Sequence, residues 1–180
     1  MNREQLEHVL RAAAQITGDS NILVVGSQSI LGTVPDDQLP TEATTSIEVD
    51  VTFFDDPDDM KSDQVDGAVG ELSAFHETHG YYAQGVSITT AVLPRGWRAR
   101  LVVVESASTA PGRGHCLDPH DCVVSKLVAG REKDRVFAEA LIREHVIDPA
   151  ILSDRIALLD GAHPMVLQRL GNWLSRFTRP

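Results

Sequence analysis

Apolar positions along this chain change period several times, and each change marks an element. From Arg3 to Ile16 they recur as Leu6, Val9, Leu10, Ala13 and Ile16, the spacing of an amphipathic helix that Gly18 ends. Ile22 to Val25 is a continuous apolar run. It breaks at Gly26–Ser27 and resumes with helical spacing through Ile30 and Leu31, which predicts a buried strand turning sharply into a short helix that reaches about Gly32. Val34 to Thr44, VPDDQLPTEAT, predicts a mobile loop close to the mouth of any site built on that turn. From Ser46 to Phe54 the pattern alternates, Ile47, Val49 and Val51 against Glu48, Asp50 and Thr52, so a strand with two different faces is expected.

Beyond the acidic turn Asp55–Asp59, read as a solvated turn and helix cap, Ser62 to His79 predicts one helix with Val65, Val69, Leu72 and Phe75 facing the core and Gly80 as its stop. Val86–Leu93 alternates weakly and reads as a strand, followed by a turn at Pro94–Gly96. Arg100–Glu105 carries four consecutive apolar residues, a strand expected to be buried on both faces, and Ser106 to His115 reads as a loop. The remainder is helical: Pro119–Gly130, Glu132–His145 with Val136, Ala140 and Leu141 as its apolar residues, Ala150–Leu159 and Pro164–Phe177. This order predicts an α/β (α+β) fold, a small mixed sheet in residues 1–115 with a helical C-terminal region, 116–180, packed on it as one compact unit.

The 180 residues suit one domain, and 42% hydrophobic with 23% charged residues is ordinary for a globular chain. No apolar run approaches the roughly 20 residues that span a bilayer, and the N-terminal MNREQLEHVLRAAAQ lacks a signal peptide's apolar core. Only two cysteines occur, Cys116 and Cys122, too few for a disulfide framework, so a reducing cytoplasm is the expected location and no membrane the expected partner. The net charge of −10 counts against bulk attraction to nucleic acid. A polynucleotide would need a local basic strip, for which Arg95, Arg98, Arg100, Arg113, Arg131 and Lys133 are the candidates.

Chemistry concentrates between Ile22 and Phe54. Gly26 lets backbone approach a ligand closely, and Ser27 opens a helix whose free N–H groups attract phosphate, although such turns also occur as plain structure. Glu48 and Asp50 project from one strand face, where two neighbouring carboxylates repel and burial without a counter-charge is costly. A divalent cation resolves both; a solvent-facing strand edge is the duller alternative. Glu105 ends a strand, either as a base for an acceptor hydroxyl or as a solvated terminus. Lys126 lies among Val123, Val124, Leu127 and Val128 and needs a polar destination, in a site or in solvent. His115, Cys116, His120 and Cys122 invite a zinc reading, but their spacing fits neither half of a zinc finger; small buried cysteines and a His120–Asp121 helix cap are expected instead.

Gly-Ser opening a helix, followed by the acidic-x-acidic strand Glu48–Asp50, resembles the DNA polymerase beta-like nucleotidyltransferase superfamily. CLDPHDCVVSKLVAGREKD, residues 116–134, is similar to its AbiEii and MenT-type toxin branch. The resemblance covers Ile22 to Phe137. It implies a nucleotidyltransferase core in which Gly26 and Ser27 hold a nucleoside triphosphate, Glu48 and Asp50 hold Mg2+, Lys126 reaches the phosphates, and Asp134 supports the site. It also implies NMP transfer to a hydroxyl such as a tRNA 3′ end, a cognate antitoxin as partner, and Ser46 as a site of phosphorylation. Glu48 stands where the superfamily usually has Asp. That departure motivates the alternatives of a catalytically weakened nucleotide-binding module or a transferase acting on a small, aminoglycoside-like acceptor.

Overall fold

The computed structural model describes residues 1–178. Helix α1 (Arg3–Thr17) begins at an Asn2–Gln5 capping box and ends on Gly18 in the left-handed conformation, burying the predicted stripe Leu6, Val9, Leu10 and Ala13. Strand β1 (Asn21–Val24) follows, then a 3-10 helix over Ser27–Gly32. The segment expected to be a mobile loop has regular turns, a 3-10 turn at Asp36–Gln38 and a short helix α2 (Thr41–Thr44). Backbone N–H of Arg3 donates to Asp36, and the Gln28 amide donates to the Ala43 carbonyl, so the segment is tied to α1 and to the Ser27–Gly32 turn.

Strand β2 (Glu48–Phe53) leads through the acidic turn to α3 (Met60–Val69), whose start is capped by Asp56 accepting from the N–H groups of Lys61 and Ser62. The single helix expected over Ser62–His79 is two. After Gly70 the chain turns through Leu72 at φ 63°, exposed rather than in the core, and Ser73 caps a new helix, α4 (Ala74–His79). A side chain on Gly70 in its extended conformation would strike the Asp66 carbonyl, so glycine suits the way the chain leaves the helix there. Strand β3 is Tyr82–Gly85, earlier than the strand expected at Val86–Leu93. Gly85 lies against the Ser62 carbonyl, the Ser62 hydroxyl donates to Val86 O and Val86 N–H to the Val51 carbonyl; beyond this the chain leaves the sheet through a 3-10 turn at Ile88–Thr90, and Val86, Ile88, Ala91 and Leu93 pack toward the C-terminal helices.

Strand β4 (Val102–Val104) is a sheet edge, with Val103 half exposed, not a strand buried on both faces. Strand β5 (Arg113–Cys116) lies inside the expected loop and straddles the 115/116 boundary. Its RGHC sequence hides it: Gly114 is the residue that fits beneath Leu10 and Val104, where a Cβ would clash. The helices α5 (Pro119–Ala129), α6 (Glu132–Arg143), α7 (Pro149–Ala157) and α8 (Pro164–Leu174) agree with the pattern to within a few residues. Asp118, not His120–Asp121, caps α5, accepting from the N–H groups of both.

The five strands run in the order β3-β2-β1-β5-β4, with β2 antiparallel to β1, β3 parallel to β2, β5 parallel to β1 and β4 antiparallel to β5. Alternation divides the sheet. Ile22, Val24, Val49, Val51, Phe53 and Ala83 meet α1 and α3 on one face. On the other, Leu23 and Val25 meet the C-terminal helices through Leu117, Val123, Val124 and Leu127. Glu48 and Asp50 of β2 therefore project toward the helical half. No helix among the described residues is long and apolar enough to cross a membrane.

Candidate functional site

Burying Val49 and Val51 under α1 and α3 forces Glu48 and Asp50 onto the opposite face, where β1 ends and the chain turns at Gly26. That turn is held by Val25 N–H donating to the Asp50 carbonyl at 3.0 Å and by three donors on Gly26 O: Ser29 N–H, the Ser29 hydroxyl at 2.8 Å and the Cys122 thiol at 3.2 Å. Gly26 has φ 49°, and a Cβ there would overlap the Asp50 carboxylate, so only glycine lets that carboxylate lie over the turn. Ser29 is fully buried in this role. Cys116 and Cys122 are buried free thiols, as expected.

Glu48 and Asp50 line the same cleft from one face of β2. Burial first, then the neighbouring Glu48 carboxylate, push the Asp50 carboxyl up to about 6, against the pull of Lys126 and Arg131. Two oxygen-donor side chains crowded against their own repulsion suit a hard cation of the magnesium type, which shares itself between one or two carboxylates and substrate phosphates. Among the described residues no three His, Cys, Asp or Glu side chains converge as a metal cluster, so a cation here would draw its other ligands from substrate and water.

Facing the pair across the cleft is α5, which presents Lys126. Its ammonium does not snorkel to solvent: it lies 3.6 Å from Asp134 Oδ1 and 5.6 Å from the Phe137 ring centroid, with the side chain 13% exposed. Asp134 is buried in the first turn of α6 and also takes a two-pronged contact from Arg131, at 2.7 and 3.2 Å. Burial opposes its ionisation, but the Arg131 hydrogen bond and the charges of Lys126 and Arg131 hold its carboxyl below the usual range. Asp134 is thus a buried anchor for two cations.

A cleft of about 380 Å3 gathers Gly26, Ser27, Ser46, Glu48, Asp50, Lys126, Arg131 and Lys133. It opens beside a second of about 800 Å3 between α2 and α6, lined by Glu42, Ala43, Val136 and Phe137 and sharing Ser27, Ser46, Lys126 and Lys133 with the first. Val136, one of the apolar residues of the α6 pattern, is half exposed on this wall. The Ser46 hydroxyl contacts both the N–H and the carbonyl of Glu48, at 3.2 and 3.1 Å.

Glu105 is not brought to this site. It lies beyond β4, three places along the sheet from β2, exposed and paired with Arg113 at 2.9 Å. Nor do the candidate basic residues form one strip: Arg100 is committed to Asp121, Arg113 to Glu105, and Arg98 lies over the Phe54 and Trp97 rings, leaving Arg131 and Lys133 at the cleft. Two residues escaped the sequence reading. Tyr82 and Gln84 stand opposite Glu48 and Asp50 in the parallel register of β3, and Gln84 lines the smaller cleft. The short run YYAQ between Gly80 and Gly85 was their available signal.

Neither a curated protein nor a solved structure matches the chain. One family model does, over residues 4–160, a span that holds the Gly26 turn, both strand carboxylates, Lys126 and Asp134. The chain belongs to that family, described as a nucleotidyltransferase of unknown function (DUF6036).

Proposed function

We propose that this protein is a metal-dependent nucleotidyltransferase that moves NMP from a nucleoside triphosphate to a hydroxyl acceptor. One observation carries the reading: Asp50 lies over a glycine turn and, with Glu48 beside it on β2, faces Lys126 across one polar cleft. Ser27, Lys126 and Arg131 would hold the triphosphate, with Asp134 fixing both cations in place. The adjoining α2–α6 cleft would receive the nucleoside against Ala43, Val136 and Phe137. Held by Glu48, Asp50 and substrate phosphates, Mg2+ would offset charge developing at the α-phosphate and lower the pKa of the attacking hydroxyl. The acceptor oxygen, its proton passing to water, then bonds the α-phosphorus as the bond to the leaving pyrophosphate breaks.

The AbiEii/MenT likeness of residues 116–134 extends the proposal to a cytoplasmic toxin that acts on the tRNA 3′ end and is neutralised by a cognate antitoxin. A phosphate on Ser46 would set about two negative charges beside Glu48 and oppose nucleotide binding. A second reading, a nucleotide-binding module with weakened catalysis, is favoured by Glu48 in place of Asp and by Gln84 beside Asp50, an amide that cannot accept a proton.

The test is incubation with each NTP labelled on its α-phosphate, Mg2+ and total tRNA, with Asp50→Ala as control. Label on RNA from wild type alone supports the toxin reading. Label on small hydroxyl compounds but not RNA redirects the acceptor to the small-molecule class. Bound NTP without any transfer supports the module.

A further inference from the structure

Glu48 carries a longer and more flexible arm than aspartate, and something must hold it if one of its oxygens is to meet a cation together with Asp50. Parallel pairing of β2 with β3 places Tyr82 directly opposite Glu48. The Tyr82 hydroxyl donates to Glu48 Oε2 at 3.0 Å. Tyr82 is itself buried, and the His76 ring of α4 lies against its ring at a centroid distance of 4.7 Å. His76 is fixed in turn: its Nδ1 accepts from Leu72 N–H at 3.1 Å, inside the break that separates α3 from α4. The interruption of the expected long helix therefore supports a ring whose hydroxyl reaches the site.

We infer that Tyr82 is a positioning residue, which fixes Glu48 through Oε2 so that its other oxygen and the Asp50 carboxylate serve one divalent cation. The inference rests on the metal-dependent reading above and adds a residue to it. Tyr82 does not touch substrate in this role. It removes the rotamer freedom that the extra methylene of Glu48 introduces, as an outer hydrogen-bond partner commonly does for a ligating carboxylate.

The experiment measures Mn2+ binding to the whole protein without nucleotide, from the electron paramagnetic resonance signal of the free ion. Wild type is compared with Tyr82→Phe, Glu48→Asp, the double variant and Asp50→Ala. Tyr82→Phe is expected to weaken Mn2+ binding about tenfold. Glu48→Asp withdraws the carboxylate from the hydroxyl, so in that background Tyr82→Phe changes affinity by less than about twofold, a strong coupling between the two positions. Metal-free binding of inorganic tripolyphosphate should be the same in wild type and Tyr82→Phe, a readout that general disruption of the site would move. Unchanged Mn2+ affinity in Tyr82→Phe, or equal losses in both backgrounds, overturns the positioning role while leaving the metal site standing. Unchanged affinity in Asp50→Ala overturns the metal site itself and the role with it.

Discussion

Asp50 is the residue on which opposing forces are best balanced. Its carboxyl is pushed up to about 6 by burial and by Glu48, above the ordinary aspartate value, so the folded chain binds this proton more tightly than the unfolded chain does. A raised acid pKa contributes stability at low pH and loses it as pH rises from about 4 through about 6. In metal-free buffer, Asp50→Asn should raise the melting temperature at pH 7.5 and leave it near wild type at pH 4. Each kcal/mol corresponds to roughly 2–4 °C for a chain of this size. Added Mg2+ should raise the wild-type melting temperature at pH 7.5 and not that of the variant. Melting temperatures shifted equally at both pH values would show that the carboxylate is not strained in the folded protein.

Helix α6 contributes two different things from adjacent turns. Its buried first turn offers Asp134 as the anchor for Lys126 and Arg131, while Val136, 48% exposed, forms apolar wall in the larger cleft. An exposed valine on a helix tolerates a larger side chain, so Val136→Trp should fold and narrow the cleft. NTP binding is expected to weaken about tenfold, or about 1.4 kcal/mol, with inorganic tripolyphosphate bound as tightly as before. Calorimetric titration of both ligands checks this. Undiminished NTP affinity with lost transfer would instead put the acceptor in this cleft.

The two halves of the chain are joined around a buried charge as well as an apolar core. Asp121, fully buried near the start of α5, receives Arg100 in a two-pronged contact at 2.8 and 3.1 Å and Arg155 of α7 at 3.2 Å. Arg100 also donates to the carbonyls of Pro94 and Arg95, so the connector before β4 is fastened to α5, the helix that bears Lys126. Replacing one member of such a group leaves charge buried without its partner. Asp121→Ala should therefore lower unfolding free energy by about 3 kcal/mol in urea titration. A loss under about 1 kcal/mol would mean that solvent already satisfies both arginines.

What the sequence determined by itself is local. The alternation of β2 assigned Glu48 and Asp50 to one face, the Gly26–Ser27 break located the turn, and helix periods, with glycine stops at α1 and α5, located α1 and the four C-terminal helices. Period and chain-breaking residues act over a few positions, so they can be read along one segment. Tertiary structure decided what depends on partners far along the chain. Strand β5 is a strand because β1 and β4 pair with it, and its Gly114 fits the space that Leu10 leaves, although nothing in RGHC alternates. Glu105 was separated from the site by strand order, and Tyr82 was brought to Glu48 by register, two quantities that belong to the sheet rather than to any one strand. Lys126 needed a polar destination on sequence grounds alone; that its destination is Asp134 beside the two carboxylates follows only from the packing of α5 and α6 against the sheet.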